Sequence, residues 1–457
     1  MRSSLKKFHA RRLLPLALLS LGLAGCATYR SQPLDPAASA MAFEARTLTD
    51  PGLTRFLQAA DPSGHGWTLA RLTLVGLYER PDILIAQDQR LMAQGGLQNA
   101  AALPNPTLSL TPTYNATKLM PSPWKAGPIL SFLVTSLAAR PAEMQAAKAH
   151  LAAAREALPI AAWLVRSQVR TAMLNLWTTE KSQALDVKSQ ALAQQSVALI
   201  TARVNAGQMS EVNENTAILA ADQSVMATAA IARSVVIARA QLALSVGLPA
   251  ASLRHVRIDF AGFAHPKWPK NIGKLQQYAL TSQPNIQVAL DNYAQAQARL
   301  RLAILAQYPG ISIGPGYNYD QGANKYILAL SITLPIFNQN QGGIATAYAA
   351  RALAGAQFLA AQQSVLDRID QAMADARASA DEVRAADAIR QNAKRQQISL
   401  AQQYNAGAIG RLRLTGGQRA LVQAEQGLSI ATLHLDDALG ALEDALYHPI
   451  FGVRPGS

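Results

Sequence analysis

The sequence predicts a mainly α-helical chain that also carries transmembrane β-strands, built as two copies of one unit. Three observations lead there. Leu414, Leu421, Leu428, Leu435 and Leu442 recur at intervals of seven, and Ala424, Ala431, Ala438 and Ala445 stand three residues after four of them. That is the a/d seam of a long helix lying close against a slim antiparallel partner, the helix that ends near Tyr404. The turn before the seam, Asn405-Ala406-Gly407, recurs as Asn205-Ala206-Gly207. Between the helical stretches, short segments switch from the helical period to strict alternation of apolar and polar residues.

Half of the 457 residues are apolar but only 6% are aromatic, which favours slender, closely packed helices over a thick globular core. The formal charge is +14, and because five positives and no negatives precede Cys26, +9 remains on the rest. No dense basic tract remains, so no nucleic-acid partner is expected; the excess suits anionic lipid or an acidic protein.

Lys6, Lys7, Arg11 and Arg12 precede an apolar run, Leu13 to Leu23, that is too short to span a bilayer. Leu23-Ala24-Gly25-Cys26 resembles a bacterial lipobox, which implies cleavage before Cys26, diacylglycerol on its sulfur and an acyl chain on its amine. Ala27 in place of Asp favours, by analogy, the outer membrane. Cys26 is the single cysteine, so no intrachain disulfide can form. Residues 26–66 contain Asp35-Pro36, Asp50-Pro51-Gly52 and Asp61-Pro62-Ser63-Gly64 and read as an extended tether, with at most short helices at 41–46 and 53–59.

The predicted organisation is a leader (1–25), this tether (26–66), repeat one (67–250), a linker (251–269), repeat two (270–447) and a tail (448–457). Leu72, Leu77, Pro81, Ile83 and Asp88 fall at one constant shift on Leu275, Leu280, Pro284, Ile286 and Asp291, and so do Pro106, Pro112, Tyr114 and Asn115 on Pro309, Pro315, Tyr317 and Asn318. In each repeat Pro81 or Pro284 opens a helix, reaching Ala102 or Gln307.

The next segments have period two. Leu108, Leu110 and Tyr114 alternate with Thr107, Ser109 and Thr113; Ile311, Ile313, Tyr317 and Tyr319 alternate with small or polar residues. Each is followed by a second strand, residues 127–135 and 326–334. Nine or ten residues is the length of a transmembrane strand, and Trp124 with several tyrosines stands near the strand ends, where an interfacial girdle lies. No helical span is expected outside the leader. Four strands cannot close a barrel and open edges are not tolerated in lipid, so several chains must share one. Long helices are expected over 141–205, kinked at Pro159, and over 208–247, 341–405 and 409–446; about 65 residues of helix measure about 100 Å.

Taken together, the lipobox, the two strand pairs, Leu334-Pro335-Ile336-Phe337-Asn338 closing the last strand, and the two Asn-Ala-Gly turns resemble the TolC family of outer-membrane efflux proteins. The resemblance covers Trp67 to Leu446. Phe43-Glu44-Ala45-Arg46 and Asn338-Gln339-Asn340-Gln341-Gly342 look nearer to its lipoprotein members that serve heavy-metal efflux. It implies a homotrimeric duct in which four strands per chain build a shared 12-stranded barrel, continued by a barrel of antiparallel coiled-coil helices. It also implies a periplasmic adaptor docking at Asn205, Ala206, Gly207, Asn405, Ala406 and Gly407, and an inner-membrane pump behind it. Two departures stand out: Gly410-Arg411-Leu412-Arg413-Leu414 and Ser210-Glu211-Val212-Asn213-Glu214 replace the Ser-x-x-Asp-Val-Leu common after the turn glycine, and residues 135–140 lack Leu-Pro-Ile-Phe. Glu211 and Glu214 near one turn and Arg411 and Arg413 near the other are candidate gate charges that could face each other across the closed aperture.

No phosphate loop, paired-His motif or nucleophile elbow occurs, so neither enzyme activity nor metal site is expected, and no cofactor beyond the lipid on Cys26. Trp163 and Trp177 read as helix-packing residues. The alternative to an exit duct is a lipid-anchored helical scaffold or adhesin without a lumen.

Overall fold

The computed structural model describes residues 28–62, 64–117, 121–263, 266, 268–269 and 271–451. The leader, Cys26, His265 and the tail beyond Phe451 lie outside them. The chain divides into two units, 1–46 and 47–457.

In the first, helix α1 (Pro36–Glu44) has no buried residue. Asp35 caps it, its Oδ1 accepting from the backbone N–H of Ala37 and Ala38 at 2.9 and 3.1 Å. In the second unit Asp50 caps α2 (Pro51–Ala60) in the same way, accepting from Gly52 and Leu53 at 2.7 and 3.1 Å. Asp35-Pro36 and Asp50-Pro51, in the expected tether with its short helices, are therefore N-cap and first-turn proline of two helices, while Asp61 caps the C-terminus of the second. Leu48, Leu53 and Leu57 are buried in the main core, so the chain belongs to the body from Thr47 rather than from Trp67.

Helices α3 (Leu69–Glu79) and α4 (Pro81–Ala101) precede the first strands and the very long α5 (Thr135–Asn205), which is followed by α6 (Glu211–Ser245). The second repeat supplies α7 (Ile272–Ser282), α8 (Pro284–Leu305), two strands, α9 (Gln341–Asn405) and α10 (Arg411–Leu446). Proline opens α4 and α8, where its missing N–H costs no helical bond. α5 begins six residues before Pro141 and runs through both Pro141 and Pro159. α6 is itself long and apolar enough to cross a membrane, contrary to expectation, and only 11% of its most apolar window is buried. Its alanine-rich sequence packs along α5 on one side and leaves Val212, Leu219, Met226 and Val236 exposed on others.

One hydrophobic core forms a belt where the long helices pass. Val165, Val169 and Met173 of α5 and Val365, Ile369 and Met373 of α9 meet Leu242 of α6 and Leu439, Leu442 and Leu446 of α10 there. Each such side chain, fully withdrawn from water, contributes about 1.5 to 3 kcal/mol. The expected linker is part of this belt: Leu253, Ile258 and Phe263 are buried, and Ile258 bridges Trp67 in parallel. Phe263 lies 6.3 Å from the Trp177 ring and 5.5 Å from that of Phe451, which together with Ile450 ties down the start of the expected tail.

The α10 seam is rotated by about one residue from the expected one. Ala424, Ala431, Ala438 and Ala445 are buried, as are Leu414 and Leu442 at the ends of the expected seam, but the buried stripe beside them is Thr415, Val422, Ser429, Asp436 and Glu443, and Leu421, Leu428 and Leu435 are only half-buried. The cause is that α10 packs on α5 as well as α9, so its buried face is centred between two neighbours.

Candidate functional site

Six strand segments form one antiparallel sheet. β1 (Thr107–Leu110) and β2 (Thr113–Tyr114) are parts of one line, as are β3 (Trp124–Ala126) and β4 (Pro128–Leu133); β5 (Ile311–Asp320) and β6 (Ala323–Ile332) are unbroken. The first-repeat strands, expected to be continuous, are interrupted at Pro112, which has no N–H to give the ladder, and around Gly127. A β-carbon on Gly127 would stand 1.8 Å from the Tyr317 carbonyl oxygen, so only glycine fits where this strand passes its neighbour. Across both breaks the register is kept: Leu108 pairs with Leu130, and Tyr114 with Trp124. β6 ends at Ile332, so Leu334, Ile336 and Phe337 lie beyond the strand they were expected to close, and all three are exposed.

This register sorts the faces. Pairs on one face are Leu108 with Leu130, Phe132 with Ile313, Ile313 with Leu330, Pro315 with Leu328, and Ile311 with Ile332. On the other stand Thr107 with Ser131, Ser312 with Ser331, Gly314 with Ala329, and Asn318 with Lys325. Leu108, Leu110, Leu328 and Leu330 are each more than half exposed, so within one chain nothing covers the apolar face. At the hairpin ends Tyr114 meets Trp124 edge-on at 5.0 Å and Tyr317 meets Tyr326 at 6.0 Å. β4 and β5 are paired on both sides, whereas the β1/β2 line and β6 each have one free edge. The sheet thus has one apolar face, a second face of mostly small or polar residues interrupted by Ile129, Leu133 and Ile327, and two free edges.

At the far end of the long helices the two turns repeat one geometry. Gly207 and Gly407 have φ of +67° and +74°, the left-handed region where a side chain is strained. The N–H of Gln208 returns to the carbonyl of Arg203 at 2.8 Å, and that of Ala408 to Gln403 at 2.9 Å. No atom lies within 4 Å of where either glycine's β-carbon would stand, so both turns are open to a partner. Asn205, Ala206, Asn405 and Ala406 end their helices at these turns.

The candidate gate charges are not brought together within the chain. The Thr201 hydroxyl donates to Glu214 Oε1 at 2.6 Å. Arg411 lies 5.6 Å over the Tyr404 ring, and with the Gln195 amide oriented by these donors its oxygen accepts from Arg411 Nε and Nη2 at 3.2 and 3.0 Å. Gln195 is on α5, so Arg411 ties the tips of the two hairpins together. Glu211 and Arg413 are exposed and have no ion pair among the described residues. Within one chain α10 faces α5, while both glutamates are on α6, so the expected pairing is one between neighbouring helix pairs around a ring.

Sequence reasoning passed over a buried charge cluster where α5 crosses the end of α10. Glu443 Oε1 pairs with Arg166 and Arg170 at 3.0 Å each, and its Oε2 accepts from the N–H of Ile450 and Phe451 at 2.7 and 2.9 Å. Arg170 also reaches Asp444 at 2.7 Å, while Trp163 donates to Asp444 at 3.0 Å and stacks on Tyr447 at 4.3 Å. Burial opposes the Arg170 charge, but the hydrogen bonds and charges of Asp444 and Glu443 outweigh it and raise its pKa. One turn pair away, Asp436 is 1% exposed and its Oδ2 has no hydrogen-bond partner. Burial, reinforced by Asp437 and opposed by Lys181, pushes its carboxyl up to about 7. The available signal was the heptad interval from Ser429 to Asp436 to Glu443, which places acids in line with a buried stripe.

Residues 275–446 match the model of the outer membrane efflux protein family. No curated protein matches the sequence as a whole. The fold is similar to that of the outer membrane protein VceC of Vibrio cholerae, at 18% identity and a TM-score of 0.68 over 86% of this chain and 98% of that one. It is similar to the Campylobacter jejuni CmeC outer membrane channel, at 13% identity and 0.68 over 92% and 93%. The open state of the Neisseria gonorrhoeae MtrE outer membrane channel gives 20% and 0.65 over 83% and 89%. The structural matches establish the fold, and the family match is confined to the second repeat. The chain therefore has the fold of the outer-membrane channels, and its second repeat matches the outer membrane efflux protein family.

Proposed function

We propose that three copies of this chain close one twelve-stranded barrel in the outer membrane and continue it as a helical exit duct for solutes moving outward. The observation that carries this is the sheet: four strand lines, one continuous apolar face open to the surroundings, and two unpaired edges. In lipid each unpaired backbone group costs several kcal/mol, so the edges must be joined, and four strands are too few to join their own. Three copies supply twelve. The polar face then lines a lumen, and α5 and α9, each about 100 Å long, carry the wall across an aqueous gap.

In this reading a lipid on Cys26 anchors the chain to the same membrane, and a periplasmic adaptor, linked to an inner-membrane pump, meets the turn end of the long helices. The duct is passive; the pump supplies energy and selects cargo. Native mass spectrometry of the detergent-extracted protein and planar-bilayer recording test the proposal together. A trimer with stepwise ionic conductance is expected. A monomer soluble without detergent, or a trimer that passes no current, would replace the duct with a lumen-free scaffold.

A further inference from the structure

The second turn breaks an electrostatic rule that the first obeys. A helix N-terminus favours negative charge. α6 starts with Glu211 and Glu214 in its first turn, whereas α10 starts with Arg411 and Arg413 and has no acid there. The departure extends along the hairpin. Between Asp387 and Glu425 there is no acidic residue, and the stretch holds Arg390, Lys394, Arg395, Arg411, Arg413 and Arg419. The corresponding stretch of repeat one, 188–224, sets Lys188 and Arg203 against Glu211, Glu214 and Asp222.

Arg390 is held by Asp387 at 2.7 Å; the other five have no carboxylate partner among the described residues. Lys394, Arg395, Arg411 and Arg413 are exposed. Arg411 contacts only neutral groups, Tyr404 and Gln195. Arg203 adds to the patch from the other hairpin, its Nη2 lying 2.7 Å from where a β-carbon on Gly410 would stand. Clustered like charges against a helix N-terminus weaken the fold locally, and the contacts Arg411 makes to Tyr404 and Gln195 bring no opposite charge to offset them. Departures of this kind mark surfaces kept for a partner.

Resting on the duct reading above, we propose that the tip of repeat two is the docking surface for an acidic helical tip of the adaptor. The two tips of each chain are then chemically distinct, and the acidic partner selects the one around Gly407. An anionic membrane would be drawn to the same charges, but the tips stand about a full helix length from the strands, so a protein partner is the occupant assigned here.

The test measures binding of the purified adaptor from the same operon to the full-length trimer in detergent, at low and high salt. Arg411→Glu with Arg413→Glu is expected to weaken binding about tenfold or more at low salt, and the parent affinity to fall steeply as salt rises. Glu211→Arg with Glu214→Arg, at the other tip, is expected to leave affinity within about twofold. Reversing acidic residues on the adaptor tip should restore binding to the Arg-reversed duct. Equal losses at both tips, no loss at the second, or loss independent of salt would overturn the proposal. So would unchanged adaptor binding with loss of adhesion to phosphatidylglycerol vesicles. Bilayer conductance of each variant is recorded alongside: the reversed duct should still conduct, and a parent protein without conductance would sink the duct reading instead.

Discussion

Asp436 gives the sharpest prediction about pH. Its side chain is 1% exposed, its Oδ2 is unpartnered, and its pKa stands at about 7 against an ordinary 3.8. Between those values the folded chain holds a proton there that the unfolded chain has released. Stability therefore falls as pH rises from about 4 to about 7 and is flat for this group above that. At about 1.4 kcal/mol per pH unit the interval amounts to at most about 4 kcal/mol per chain. A chain of this length has an unfolding entropy of about 1 kcal/mol/K, so the midpoint should move by up to about 4 °C. Removing the ionisable group reverses this loss. Asp436→Asn and Asp436→Leu should both melt above the parent at pH 8 and close to it near pH 4, with a shallower slope between. The slope should not vanish, because Asp437 is also raised, chiefly by burial. The assay is calorimetry of the detergent-extracted protein at a series of pH values. Two variants are needed because Asn brings a new donor into the buried stripe and Leu does not. If both follow the parent's slope, or both melt lower at pH 8, Asp436 is not the proton-holding group.

Further predictions follow from other contacts. Glu443→Met removes the carboxylate that Arg166 and Arg170 share, leaving Arg170 with Asp444 and Arg166 with the Phe451 carbonyl, and should cost up to about 3 kcal/mol by calorimetry, part of which Arg170→Met in the same chain should recover. Leu330→Arg, on the apolar face, should destabilise the proposed trimer on native gels by about 2 to 4 kcal/mol, whereas Ser331→Arg, on the other face, should be tolerated. Gly407→Ala places a side chain at φ +74° and should cost about 1 to 2 kcal/mol; hydrogen exchange near the turn should quicken, and less so for Gly407→Asn. Cys26→Ser should abolish lipid labelling yet leave the trimer in the membrane fraction, because a buried barrel outweighs one lipid anchor.

Local order dominates what could be read directly from the residues. A leucine every seven residues, a proline at a helix start and an Asn-Ala-Gly turn each act through neighbours a few positions away, so α9 falls at 341–405 as expected and the turns sit at Gly207 and Gly407. Period two in the strands sorts their faces for the same reason, and duplication exposes the architecture by stating it twice. The Asp-Pro pairs act locally too, each aspartate accepting from the N–H groups two and three residues on.

What tertiary structure alone decided is whatever depends on a second neighbour. The seam on α10 turns by one residue because α5 lies against it as well as α9, and periodicity along one helix cannot count its partners. That rotation buries Asp436 and Glu443, matches one with arginines from 277 and 273 residues away and leaves the other without a hydrogen-bond partner at Oδ2. It also places Arg411 against Gln195 instead of a glutamate. The sequence by itself determined which helices and strands form and which faces are apolar. Which charges meet across those faces was decided by packing, because Coulomb interactions and desolvation act through space and depend on every helix that closes around a site.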